Sequence, residues 1–357
     1  MVAETQKSSD TRTSETPKHS WKSFLPGWKL TSPHEDPGAL LKQRAVIAAM
    51  NRDELLDGLQ QLTELDLDEE LENDLRFSLL SCLAPLDPAT TLTLADSLSD
   101  QGSLKIVNFK LKTFKFLSQQ DTVKAAEWLD QKIADESFKT TRIHGGDNPR
   151  FKFEKVLISS LLDSNFLQAQ ARVSGFNDQE KIWLFSNDSE HWLQGDIVPE
   201  GFLSLARENF SSEMAAAVIG IVLGTQKVAS LADATTLLDQ SKLSESERGY
   251  TARNLLLNHL GQEYKVPDFE EVYRWAQAED PGRSIHLMTD VFNRSGSRKT
   301  EEIIASVFSL VDATGDQSIL DNYLKYRTGL GDESLQREID SFKDQELAQR
   351  FRSALQR

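Results

Sequence analysis

Hydrophobic residues recur along this chain at intervals of three and four through most of its length. Leu55, Leu59 and Leu62 form one stripe, Leu71, Leu75 and Leu79 the next, and Ala125, Trp128, Leu129 and Ile133 a third. Toward the C-terminus the pattern returns in Phe269, Val272, Tyr273 and Ala276, then in Ile285, Met288 and Phe292, then in Ile303, Ile304, Val307, Phe308 and Val311. A helix places side chains three and four apart on one face, so this spacing predicts amphipathic α-helices that each bury one side. No segment alternates over the length, and between the turn residues, that a strand needs. Phe109-Lys110-Leu111-Lys112 alternates briefly. Over the longer window Leu104, Val107, Leu111, Phe114 and Leu117 fall three or four apart, and the segment reads as helix.

The helix starts carry their own chemistry. Asp36-Pro37, Asp87-Pro88 and Asp280-Pro281 each set a side-chain acceptor at the N-cap and a proline at the first helical position, where a missing N–H costs nothing. Asn51/Glu54, Asp66/Glu69, Asn177/Glu180, Ser244/Glu247 and Asp268/Glu271 have the spacing of capping boxes. Starts near 36, 51, 68, 87, 103 and 121 lie about 15 to 20 residues apart, so a pair of helices occupies about 35, the size of a two-helix repeat.

Ala125-Ala126-Glu127-Trp128-Leu129 and Val272-Tyr273-Arg274-Trp275-Ala276, the latter followed by Asp280-Pro281-Gly282-Arg283, place a helical Trp among small residues ahead of a helix start. In these two units the chain resembles uncharacterised bacterial α-helical repeat proteins of the tetratricopeptide/HEAT-like kind with degenerate repeats. The tetratricopeptide consensus itself is absent. The resemblance implies an architecture and an interaction role, with no reaction attached. The expected fold is all-α, a right-handed stack of antiparallel helix pairs, α-solenoid-like, behind a disordered N-terminal arm. The expected divisions are an arm over 1–35, N-terminal repeats over 36–140 and C-terminal repeats over 150–357, continuous with the first set.

Composition narrows the classes. With 39% hydrophobic and 27% charged residues the chain can form a sizeable core. Fifty-six acidic against 40 basic residues give a formal charge of −16, a far field that repels phosphate backbones and argues against nucleic acid as the main partner. Cys82 is the single cysteine, which excludes an internal disulfide, a CxxC redox pair and an all-cysteine zinc site, and it reads as a small buried hydrophobe. Met1 to Leu30 has no apolar core of a secretory signal. The longest apolar run, Met214 to Leu223, is ten residues against the roughly 20 that span a bilayer, and it reads as a buried core helix.

Two interruptions and one tail hold the candidate chemistry. Thr140 to Arg150 contains Gly145-Gly146 and Pro149 together with Arg142, His144, Asp147 and Arg150, an anion or ligand loop if backbone N–H groups and these charges converge, and otherwise an ordinary inter-helix loop. Ser186 to Gly201 carries Asp188, Glu190, His191, Trp192 and Asp196. A metal site would require His191 to meet His144 and Asp147, and no spacing in the sequence demands it. Gly220 and Gly224 on the apolar run are explained by close helix packing and a C-cap. Lys105, Lys112 and Lys115 share part of one helix face opposite the apolar stripe, a surface for an acidic partner or simply a solvated basic face. In the arm, Trp21, Phe24 and Trp28 are aromatic anchors that dock on a partner or on the chain's own first helices.

No catalytic serine elbow, phosphate loop, dinucleotide fingerprint or metal motif is present in the sequence, and no catalytic residue, cofactor or metal is assigned. The leading expectation is a non-enzymatic scaffold or adaptor that presents a helical-repeat surface to a protein or peptide. The alternatives are an enzyme or small-ligand binder built from loops 141–150 and 186–201, and a peripheral cell-envelope protein. The expected location is cytoplasmic, with the periplasm or envelope as the alternative.

Overall fold

The computed structural model describes residues 44–356, apart from 63, 65–66, 68, 99–103, 139–147, 187–191, 193–199, 263–267, 296–299, 329–335 and 338. The arm over 1–35, the Asp36-Pro37 start and the Asp66 cap lie outside the described residues. Among the described residues every regular element is helical. None of these helices is long and apolar enough to cross a membrane. The chain divides into two compact units, Met1–Trp128 and Leu129–Arg357.

The first unit contains α1 (Arg52–Leu62), α2 (Glu69–Leu83), α3 (Pro88–Ala95), α4 (Leu104–Gln120) and the first half of α5 (Thr122–Ala134). Helices α1 and α3 begin one residue past the caps inferred from sequence, Asn51 and Asp87. Asn51 accepts from the Asp53 and Glu54 amides at 3.0 and 3.1 Å, while its own N–H donates to the Glu54 carboxylate at 2.9 Å. Asp87 caps α3 by accepting from the Thr90 N–H, with Pro88 next in the chain. Leu55, Leu62, Leu75, Leu79 and Leu83 bury the facing sides of α1 and α2 with Ile47 and Met50. Cys82 is half-buried at the margin of this cluster, and burial pushes its thiol pKa up, which makes it a poor nucleophile. On α4 the buried face is set by Ile106, Phe109, Phe114 and Leu117, whereas Leu104 is 73% exposed. The helix reading of this segment holds, with its stripe rotated from the expected one.

The second unit continues from α5 through α6 (Pro149–Ser164), α7 (Phe166–Ser174), α8 (Asp178–Ser186), α9 (Glu200–Asn209), α10 (Ser212–Gly224), α11 (Leu231–Gln240) and α12 (Glu245–Gln262). It ends with α13 (Phe269–Glu279), α14 (Ser284–Ser295), α15 (Thr300–Thr314), α16 (Gln317–Thr328) and α17 (Gln345–Leu355). From α10 onward two rows of contacts run along the chain. Helices α10, α12, α14 and α16 touch in series, α11, α13, α15 and α17 touch in series, and the pairs α11–α12, α12–α13, α13–α14 and α15–α16 join the two rows. One apolar cluster runs through this region from Leu231 to Ala354.

The apolar run lies in α10, as expected of a core helix, and its two glycines face α12. A Cβ at Gly220 would stand 2.7 Å from the Tyr250 Cβ, and one at Gly224 only 2.2 Å from the Asn254 Cβ. Both pairs step by four residues, so the i±4 ridges of the two helices interlock at a distance that only glycine permits. Asn258 Nδ2 donates to the Gly224 carbonyl at 2.5 Å and fixes the register. The C-cap is Thr225 in a right-handed conformation, so Gly224 leaves space for packing and is not the helix stop.

The Asp280-Pro281 start is also displaced. Asp280 is the C-cap of α13, Pro281 to Arg283 form a turn, and α14 begins at Ser284. The Arg283 N–H donates to the Asp280 carbonyl at 3.1 Å, which holds that turn tight.

Candidate functional site

Of the residues singled out from sequence, Trp21, Phe24, Trp28, Arg142, His144, Asp147 and His191 lie outside the described residues. Arg150 is described. Its guanidinium sits 5.1 Å over the Phe176 ring and 3.9 Å from Glu154, in the first turn of α6, which Asn148 caps. Glu154 is buried and receives two hydrogen bonds from Arg172 at 2.8 and 3.2 Å; Arg172 also donates to Asp130. Burial works against the Arg172 charge, but these two carboxylates outweigh it and hold the guanidinium above its ordinary pKa. Trp192, from the second interruption, is fully buried and stacks on Phe185 at 4.9 Å, with Phe202 against it at 5.3 Å. Among the described residues no group of three or more His, Cys, Asp or Glu side chains is arranged to hold a metal ion.

The arrangement with the clearest capacity to bind is a cleft in the second unit that the sequence did not announce. It encloses about 500 Å³ and is lined by Gly249, Tyr250 and Arg253 of α12, Asp280 and Arg283 of the turn, His286, Leu287 and Asp290 of α14, and Glu213 of α10. Its volume falls in the range of small-molecule and peptide-end sites.

Two of its charges are already paired, since Arg253 Nε donates to Asp290 at 2.7 Å. Two others are held apart. The Asp280 carboxylate lies against Gly249, where a Cβ would come within 2.4 Å of its Oδ2. The Arg283 guanidinium stacks 5.0 Å from the centre of the Tyr250 ring, a cation–π contact that leaves its N–H fork open. Among the described residues neither Asp280 nor Arg283 enters an ion pair, although they stand three apart in one turn, and His286 and Glu213 on the same walls have no side-chain hydrogen bond. Arg283 and His286 are exposed, and Gly249 is buried.

The sequence signal for this site was partial. Asp280-Pro281-Gly282-Arg283 was visible as punctuation, but its two anchors, Gly249 and Tyr250, lie some thirty residues away on a helix whose capping box marks its start and not its neighbours. Comparison with protein-family models, with curated proteins and with solved structures found no match.

Proposed function

We propose that this protein is a non-enzymatic interaction scaffold of α-solenoid type, built from degenerate helix pairs, and that it engages a peptide segment of a partner at the cleft between α12, α14 and the 280–283 turn. The observation that carries this reading is the spacing of the bonds that tie distant helices. Arg52 reaches Asp87 and Gln120 reaches Pro85, both 35 residues apart. In the second unit Gln170 reaches Glu208 at 38, Arg207 reaches Glu247 at 40, Trp275 reaches Thr235 at 40, Tyr273 reaches Asp316 at 43 and Arg350 reaches Asp312 at 38. A chain in which each piece binds the piece about forty residues on is what a stack of two-helix units produces. The two serial rows of contacts from α10 to α17 support the same reading. Scaffolds of this kind offer extended surfaces to partners, and the open charges of the cleft supply polar recognition there.

The test is site-specific photocrosslinking in the cells that make the protein, with a photoreactive amino acid in place of exposed Glu213 on the cleft or of exposed Glu346 on α17. A discrete adduct from position 213 and none from 346, to a polypeptide that after purification binds the intact protein, is the expected result. Equal adducts from both positions, or none, overturn the proposal.

A further inference from the structure

We infer that the cleft binds the zwitterionic form of a short peptide, its ammonium at Asp280 and Glu213 and its carboxylate at Arg283 and His286. This rests on the cleft being the binding site proposed above and goes beyond the scaffold reading, since the ends of a segment inside a partner chain are amides whereas this site selects a short peptide with both ends free.

Asp280 and Arg283 stand three residues apart in one turn without closing onto each other. An aspartate and an arginine three residues apart attract each other, although the gain from contact near a surface is small. Here each is drawn to a separate anchor. Asp280 packs into the space left by the missing side chain of Gly249, and Arg283 lies on the Tyr250 ring. Residues 249 and 250 are neighbours on α12, so one helix holds both charges in place and apart. The open guanidinium offers a planar fork matched to a carboxylate, and the open carboxylate offers acceptors to an ammonium.

Single-sign ligands fit less well. Asp280 and Glu213 on the same walls oppose a lone anion, and Arg283 opposes a lone cation. Arg253 and Asp290 neutralise each other in the wall between. A ligand with one charge of each sign satisfies both forks. The enclosed volume exceeds what one amino acid fills and suits a few residues of peptide, with the buried side chain of Leu287 supplying an apolar floor.

The probe is trialanine, compared with N-acetyl-trialanine, which lacks the cation, and trialanine amide, which lacks the anion. Binding to the full chain is followed through the methyl resonances of Leu287 on the cleft wall. A saturable shift with trialanine is expected, at least about tenfold weaker with either blocked peptide. Arg283→Gln, on an exposed side chain, lowers trialanine binding to the level of the amide and leaves the amide's own binding unchanged. Asp280→Asn does the same for the acetylated peptide. Melting temperatures within about 2 °C of the parent establish that both variants are folded. No saturable shift, or blocked peptides that bind as well as trialanine, overturns the inference. A crosslinked partner at position 213 without trialanine binding leaves the scaffold reading standing and removes only this one. Trialanine binding without any crosslinked polypeptide does the reverse.

Discussion

At the scale of single residues, the sharpest constraints fall on positions that sequence patterns describe least well. Alanine in place of glycine inside a helix ordinarily stabilises by about 0.5–1 kcal/mol. Gly224→Ala and Gly220→Ala reverse that sign, since the added Cβ meets Asn254 or Tyr250 at distances that only a shift of α12 relieves. A loss of about 1–3 kcal/mol in urea unfolding is expected for each. The two helical tryptophans, alike in sequence context, also part company. Trp275 is 9% exposed and donates its indole N–H to Thr235 at 2.9 Å, so Trp275→Ala costs about 3–5 kcal/mol, and Trp275→Phe about 1 kcal/mol from the lost hydrogen bond. Trp128 is half-buried beside Phe114 at 5.3 Å, and its truncation costs less, about 1–2 kcal/mol. Neighbours three and four apart show that a ring faces inward. They do not show how fully the next helix covers it.

At the scale of elements, caps were the most legible feature because they are local. Asn51/Glu54, Asn177/Glu180 and Ser244/Glu247 all form reciprocal boxes, with each partner three residues from the other. The Asp280-Pro281 start was displaced by three residues because Asp280 caps the end of the preceding helix, a role its sequence neighbours do not mark. Glu247 also has a distant partner that no local rule predicts. Its buried carboxylate accepts from Arg207 at 2.8 and 2.7 Å, and these bonds, against the opposing effect of burial, hold its pKa below the ordinary value of 4.5. Removing the more exposed partner should therefore cost more than neutralising the buried one. Arg207→Met leaves a buried charge short of donors and costs about 1–3 kcal/mol at pH 7, while Glu247→Gln costs less. Because the folded pKa is depressed, the pair stabilises above pH 4.5 and that contribution is lost as pH falls through the folded value. The penalty of Arg207→Met, followed by urea unfolding across pH, should shrink over the same interval.

At the scale of the whole molecule, the all-helical class was written in the 3.6-residue period, whereas the cleft was not, since it depends on residues from three helices and a turn. A stability profile against pH reads the tertiary bonds collectively. Hydrogen bonds from Ser318 and Tyr273 hold Asp316 low, and those from Arg352 and Gln336 hold Asp340 low, so both join Glu247 in a loss of stability below about pH 4. The alkaline limb belongs to Tyr273. Burial, followed by its hydrogen bond to Asp316, pushes its phenol up to about 12 from 10.0. A raised pKa favours the neutral form in the fold. That contribution is whole below pH 10 and disappears as pH rises through about 12. Tyr273→Phe should flatten this limb in thermal melts and also shrink the part of the acid limb that Asp316 carries, since Asp316 loses one of the bonds that hold it low.

The longest-range side-chain bonds among the described residues join positions 31 to 44 apart, and this sets how the second unit behaves as a mechanical object. A tether drawn from its two ends meets many short fastenings in series, none of which closes a large loop. Each fastening that yields releases roughly 40 residues, about 140 Å of extended chain. Optical-trap extension should therefore record a staircase of small, separately reversible lengthenings at modest force, in the manner of a spring that gives way coil by coil and rewinds.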